Sequence, residues 1–115
     1  MGVLDDNVVY ISGPITGIEN YKQNFEDAEK KLRQMGLRVA NPVRFAEALE
    51  EKKKLYYGRM PTYKEYMETA IATLFRCDSI YFLPGWKKSK GARLEYRTAK
   101  TVGIQRIYIS GEEHD

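Results

Sequence analysis

Four short runs of β-branched and aromatic residues alternate with segments whose apolar residues recur every three or four positions. No other feature constrains the fold as much, because strands that alternate with helices pack as a parallel sheet covered on both faces. Val8-Val9-Tyr10-Ile11 closes at Ser12-Gly13-Pro14, and Leu37 to Ala40 ends at Asn41-Pro42. Ser79 to Leu83 closes at Pro84-Gly85, and Arg106 to Ser110 is the last strand. Between them, Phe25, Ala28, Leu32 and Met35 mark a helix with Asn20 or Asn24 as its cap and Gly36 as its stop. Phe45 to Leu49 reads as a short helix, and residues 51 to 61, with Gly58 and Pro61 but no clean period, as a mobile loop or frayed helix end. Thr62-x-x-Glu65 is a capping-box pattern that opens a helix with Met67, Ile71, Leu74 and Phe75 on one face. Ala92, Glu95, Ala99 and Val102 define the last helix, which Gly103 ends. The expected order is β-α-β-α-α-β-α-β.

A length of 115 residues suits one domain, 1–115, with a core that needs no disulfide staples. The chain is 43% apolar and 30% charged, which is globular rather than disordered. Its longest apolar runs are too short for a membrane span, and no basic-then-apolar leader opens it. Cys77 stands alone, which excludes a disulfide framework and a cysteine-built zinc site. His114, in the polar tail from Gly111 to Asp115, is the single histidine, which excludes most histidine metal sites and triads. A reducing, cytoplasmic setting without metal or cofactor is the expectation. The net charge of +3 is dispersed, which does not suit a nucleic-acid partner. Lys52 to Lys54 read as a solvated surface, whereas Lys87, Lys88 and Lys90 border a loop of interest.

Parallel sheets bind ligands beyond the carboxyl ends of their strands, where the strand order reverses. Two loops leave such ends. Ser12-Gly13-Pro14-Ile15-Thr16-Gly17 offers hydroxyls on Ser12 and Thr16, with close backbone approach at Gly13 and Gly17. Pro84-Gly85-Trp86-Lys87-Lys88-Ser89-Lys90-Gly91 runs into a helix start, where free N–H groups and the helix dipole favour an anion. Asn41, at the end of the second strand, joins these candidate substrate contacts. Glu95 is the sharper signal: it lies on the apolar stripe of the last helix, where an unpartnered carboxylate is costly to bury. Either a hydroxyl such as that of Tyr10 or the helix terminus satisfies it, or it is a reactive or ligand-orienting carboxylate. Trp86 is a stacking wall for a base or an anchor for its loop. Tyr63 and Tyr66 share a helix face with Ala70 and either line a pocket or pack. Arg59 would meet an anion if residues 51 to 61 fold over the site. Asp78 reads as structural, and Cys77 as a small buried hydrophobe.

The segments VVYISGPITG (8 to 17), NFEDAEKKLRQMGLRVANP (24 to 42) and CDSIYFLPGWKKSKGARLEYRTAKTVG (77 to 103) resemble the nucleoside 2-deoxyribosyltransferase-like superfamily. They most resemble its small phage- and prophage-associated branch of unknown function. The resemblance implies a flavodoxin-like (Rossmann-like) three-layer α/β sandwich with a four-stranded parallel sheet of order 2-1-3-4. It also implies chemistry at the N-glycosidic bond of nucleosides or nucleoside monophosphates, by hydrolysis or deoxyribosyl transfer, without a cofactor. Glu95 matches the glutamate nucleophile of those enzymes, and Tyr10 the tyrosine that touches it. Ser89 and Gly91 match the Ser-x-Gly set that holds a 5′-phosphate. A homodimer or higher homo-oligomer is expected by the same analogy. One position departs from the pattern. Where relatives carry an aspartate that protonates the leaving base, this sequence has Ala70. Neither Glu68 nor Glu65 replaces it, since they point about 200° and 140° away around the helix. Base protonation by another group such as a pocket tyrosine, a better leaving group, or nucleotide binding without catalysis are the outcomes that remain.

Overall fold

The computed structural model describes residues 8–108. The strands are β1 (Val8–Ser12), β2 (Arg38–Ala40), β3 (Ser79–Phe82) and β4 (Gln105–Tyr108). The helices are α1 (Tyr21–Gln34), α2 (Pro42–Tyr57), α3 (Tyr63–Leu74) and α4 (Lys90–Val102), with a 3-10 turn at Trp86–Lys88. All pairings are parallel and the sheet runs β2-β1-β3-β4, the 2-1-3-4 order of a flavodoxin-like three-layer sandwich. The order reverses between β1 and β3. Val9 pairs with Ser79 and Ser12 with Phe82, so the β1 and β3 carboxyl ends finish side by side.

Strand side chains alternate between faces, and the core divides accordingly. Val9, Ile11, Tyr81 and Leu83 pack on Phe25, Ala28 and Leu32 of α1. Tyr10, Ile80 and Phe82 pack on the other side with Leu74 of α3 and Ala92 and Ala99 of α4. Asp78 ties the amino ends together, its Oδ2 accepting from the Val8 N–H at 2.9 Å.

The stretch expected to be a short helix followed by a mobile loop or frayed helix end is one helix, α2, as far as Tyr57, and residues 58–61 lie beyond it. Asn41 caps it, its side chain accepting from the Val43 N–H at 3.0 Å; Pro42 sits in the first turn and Gly58, at φ 67°, ends it. None of its residues is buried. A helix without a core-facing stripe leaves no apolar period to read, which is why Glu51 to Tyr57 resembled loop. Met35, Phe75 and Val102 are exposed rather than part of their apolar faces. Each closes or follows its helix, where the periodic face ends. Asn20 stands at the start of α1 without a side-chain cap bond, and Asn24 lies inside the helix. The capping box of α3 forms as expected, with Thr62 and Glu65 exchanging hydrogen bonds of 2.9 and 3.2 Å. The end of the expected last strand (Ile109 and Ser110) and the tail with His114 lie outside the described residues. Among the described residues, no helix is long and apolar enough to cross a membrane.

Candidate active site

Glu95 points from α4 into the seam between that helix and β1, and is 7% exposed. Tyr10 and Ser12, two apart on β1, face the same side of the sheet, so both hydroxyls reach it. Tyr10 donates to Oε2 at 2.6 Å and Ser12 to Oε1 at 2.5 Å. Burial pushes the Glu95 carboxyl up to about 7, against the two donated hydrogen bonds, which lower it. Burial first, then the neighbouring carboxylate, pushes the Tyr10 hydroxyl well above its ordinary range. Tyr10 therefore keeps its proton and serves as a fixed donor. Glu95, by contrast, is poised near neutrality.

Beside this carboxylate lies a cavity of about 1030 Å³, the size of a small-molecule site. Tyr10, Ser12, Gly13 and Thr16 line it from β1 and its loop, and Lys88, Ser89, Lys90 and Gly91 from the start of α4. The opposite wall comes from α2 and α3, with Tyr63, Tyr66, Met67 and Ala70 on the α3 side. Ser89 caps α4, its Oγ accepting from the Ala92 N–H at 3.1 Å. Gly91 faces Met67 and Tyr63 of α3, where an added Cβ would make ordinary contacts of 3.4 Å to Met67 Sδ and 3.5 Å to the Tyr63 hydroxyl. Lys90 Nζ sits 5.3 Å from the Tyr63 ring centroid, while Lys87 lies over Trp86. Among the described residues, no three His, Cys, Asp or Glu side chains group as metal ligands would.

Residues 7–109 match the family described as a domain of unknown function, DUF4406. The chain belongs to that family. No curated protein matches it.

Three residues of this DUF4406 chain assigned to substrate stand elsewhere. Trp86 is 3% exposed and packs with Phe82, Tyr96 and Tyr108, so it anchors its loop instead of walling the cavity. Asn41 is buried at the α2 cap, where its Nδ2 donates to Glu29 at 3.0 Å. Gly17 lies at φ 79° in the β1 loop and outside the cavity lining. Arg59 meets no anion site; its guanidinium pairs with Glu65 through two 3.0 Å hydrogen bonds. Lys53 also reaches Glu65, at 3.1 Å.

Two groups in the DUF4406 fold carried weak sequence signals. Glu50 of α2 lines the cavity and accepts from the Tyr66 hydroxyl at 2.7 Å. Nothing in the local sequence announces a contact between helices. Glu29 is buried on α1, bonded to Asn41, Arg33 and Arg44. Its position four residues after Phe25 places it on the apolar stripe, the same signal that singles out Glu95.

The turn after β1 leaves no room at Gly13. A Cβ there would lie 2.8 Å from the Leu83 Cβ and 2.9 Å from its Cδ1. Gly13→Ala is expected to cost about 1–3 kcal/mol as the β1 and β3 loops move apart. A thermal melt showing less than about 0.5 kcal/mol of loss would contradict this close approach.

Proposed function

We propose that this DUF4406 protein breaks the N-glycosidic bond of nucleosides or nucleoside monophosphates, by hydrolysis or deoxyribosyl transfer, with Glu95 as nucleophile. The observation that carries the reading is a buried carboxylate held by two hydroxyls at the wall of a nucleotide-sized cavity. The sequence resemblance to the nucleoside 2-deoxyribosyltransferase-like superfamily supports it at the same residues.

Cleavage builds positive charge at C1′, which a carboxylate stabilises and captures. A Glu95 oxygen bonds to C1′ as the C1′–N bond breaks, its electron pair leaving with the base. Water or a second base then displaces Glu95 from the glycosyl ester. Tyr10 and Ser12 fix the carboxylate, so little reorganisation is needed as its charge is neutralised. Ser89, the α4 N-terminus and the ammonium groups of Lys88 and Lys90 favour a phosphorylated substrate.

Incubation with a panel of deoxynucleosides and their 5′-monophosphates, with free base followed by chromatography, tests the proposal. Base release from at least one monophosphate, faster than from its nucleoside and absent in Glu95→Ala, is expected. A wild type that releases no more base than Glu95→Ala defeats the catalytic reading. Ala70, in the cavity wall where relatives carry an acid, favours a second reading: nucleotide binding without turnover. That reading expects a melting temperature raised by nucleotide with no base released, a stabilisation of about 2.7 kcal/mol at a hundredfold excess over Kd.

A further inference from the structure

The cavity wall lacks an acid at Ala70 but carries one nearby. Among the described residues, three carboxylates line the cavity: Glu95, Glu47 and Glu50. Glu47 is exposed, and its carboxylate is tied to Lys22 at 3.0 Å. Glu50 is half-buried and makes no ion pair shorter than 4.0 Å with a described residue; its Oε2 accepts from Tyr66. Tyr66 lies four residues before Ala70, one turn back on the same face of α3. Because α3 leads back into β3, that turn lies further toward the carboxyl ends of the strands, the side on which such sheets bind ligands. The Tyr66 hydroxyl itself is pushed up to about 12, by burial and by Glu50, so it retains its proton and orients its partner.

We propose that Glu50, positioned by the Tyr66 hydroxyl, protonates the departing base in place of the acid missing at Ala70. The proposal rests on the glycosidic reading above. As the C1′–N bond breaks and Glu95 takes C1′, the Glu50 carboxyl gives its proton to a ring nitrogen of the base. Its resulting negative charge is met by the Tyr66 O–H. When water attacks the glycosyl ester, Glu50 takes one water proton, the sugar keeps the hydroxyl, and Glu95 leaves as a carboxylate. Both carboxyl groups return to their starting states.

The test compares wild type, Glu50→Gln, Glu50→Asp and Glu95→Gln on two substrates. One is the natural nucleotide that wild type cleaves best. The other is 7-methyl-2′-deoxyguanosine 5′-monophosphate, whose cationic base leaves without needing a proton. Glu50→Gln is expected to lose about 10²- to 10⁴-fold on the natural nucleotide and less than about threefold on the methylated one. Glu95→Gln is expected to lose activity on both. Equal losses for Glu50→Gln on both substrates, or none on the natural one, overturn the proposal while leaving Glu95 in place. If wild type cleaves natural nucleotides but refuses the methylated one, Glu50→Asp decides. Retention of a tenth or more of wild-type rate, where Gln loses it, supports the acid; equal loss overturns it. A wild type that cleaves no nucleotide overturns the glycosidic reading and this proposal together.

Discussion

Glu95→Gln is expected to lose base release by at least about 10³-fold while making the protein more stable at pH 8 by about 2–3 kcal/mol. The two effects share one cause. Burial holds the Glu95 carboxyl near 7 against an ordinary value of 4.5, so the folded protein grips this proton more tightly than the unfolded chain. Stability from this group is therefore fullest below pH 4.5 and declines as pH rises through the window from 4.5 to 7. At about 1.4 kcal/mol for each pH unit across that window, the loss reaches about 3 kcal/mol at most. Glutamine fills the same space without a titrating charge, and the Tyr10 and Ser12 hydroxyls can turn to accept from its amide. Denaturant melts of both proteins from pH 4.5 to 8 should start close together and diverge as pH rises. Parallel curves would mean that Glu95 is not held neutral by its surroundings.

Phe82→Ala is expected to cost about 3–5 kcal/mol and to lower the melting temperature by roughly 15 °C or more. Phe82 is fully buried at the end of β3, with its ring centroid 4.4 Å from Trp86, 5.3 Å from Tyr108 and 6.1 Å from Tyr96. Its removal opens a cavity beneath the turn that carries the chain to Ser89. The start of α4 rests on that aromatic cluster, so nucleotide binding should weaken beyond the loss of stability. A melt lowered by only a few degrees would show that Trp86 collapses into the space.

The candidate site joins a buried carboxylate to a stability penalty. The Glu95 seam would be more stable with a neutral side chain, and the hydroxyls of Tyr10 and Ser12 only partly offset the burial. Glu29, by contrast, is bonded to Asn41, Arg33 and Arg44, and these partners lower its carboxyl although burial opposes them. Two buried glutamates on inward helix faces thus differ in kind. Glu29 pins α1 to the start of α2, whereas Glu95 faces a cavity and is bonded to two hydroxyls, with no cationic hydrogen-bond partner among the described residues.

The alternation of strand and helix, the parallel sheet and the inward placement of Glu95 were legible in the chain, because period is a local property that burial imprints on successive residues. Tyr10 was legible as a partner of Glu95, whereas Ser12, read as a substrate contact, also donates to that carboxylate from the same side of β1. α2 was not legible, since a helix with no buried residue imprints no period, and its extent rests on the Asn41 cap and the Gly58 stop. Trp86 had two readings that only packing separates, and packing against Phe82, Tyr96 and Tyr108 made it an anchor. The Glu50–Tyr66 contact joins half-buried residues on two different helices, so it depends on how α2 and α3 cross. What the sequence determined alone is which face of each periodic segment turns inward, except at the helix ends, where Met35, Phe75 and Val102 are exposed. Which of those side chains meet, and across what empty space, was decided by tertiary packing, because contacts between elements are set by three-dimensional shape and leave no repeat along the chain.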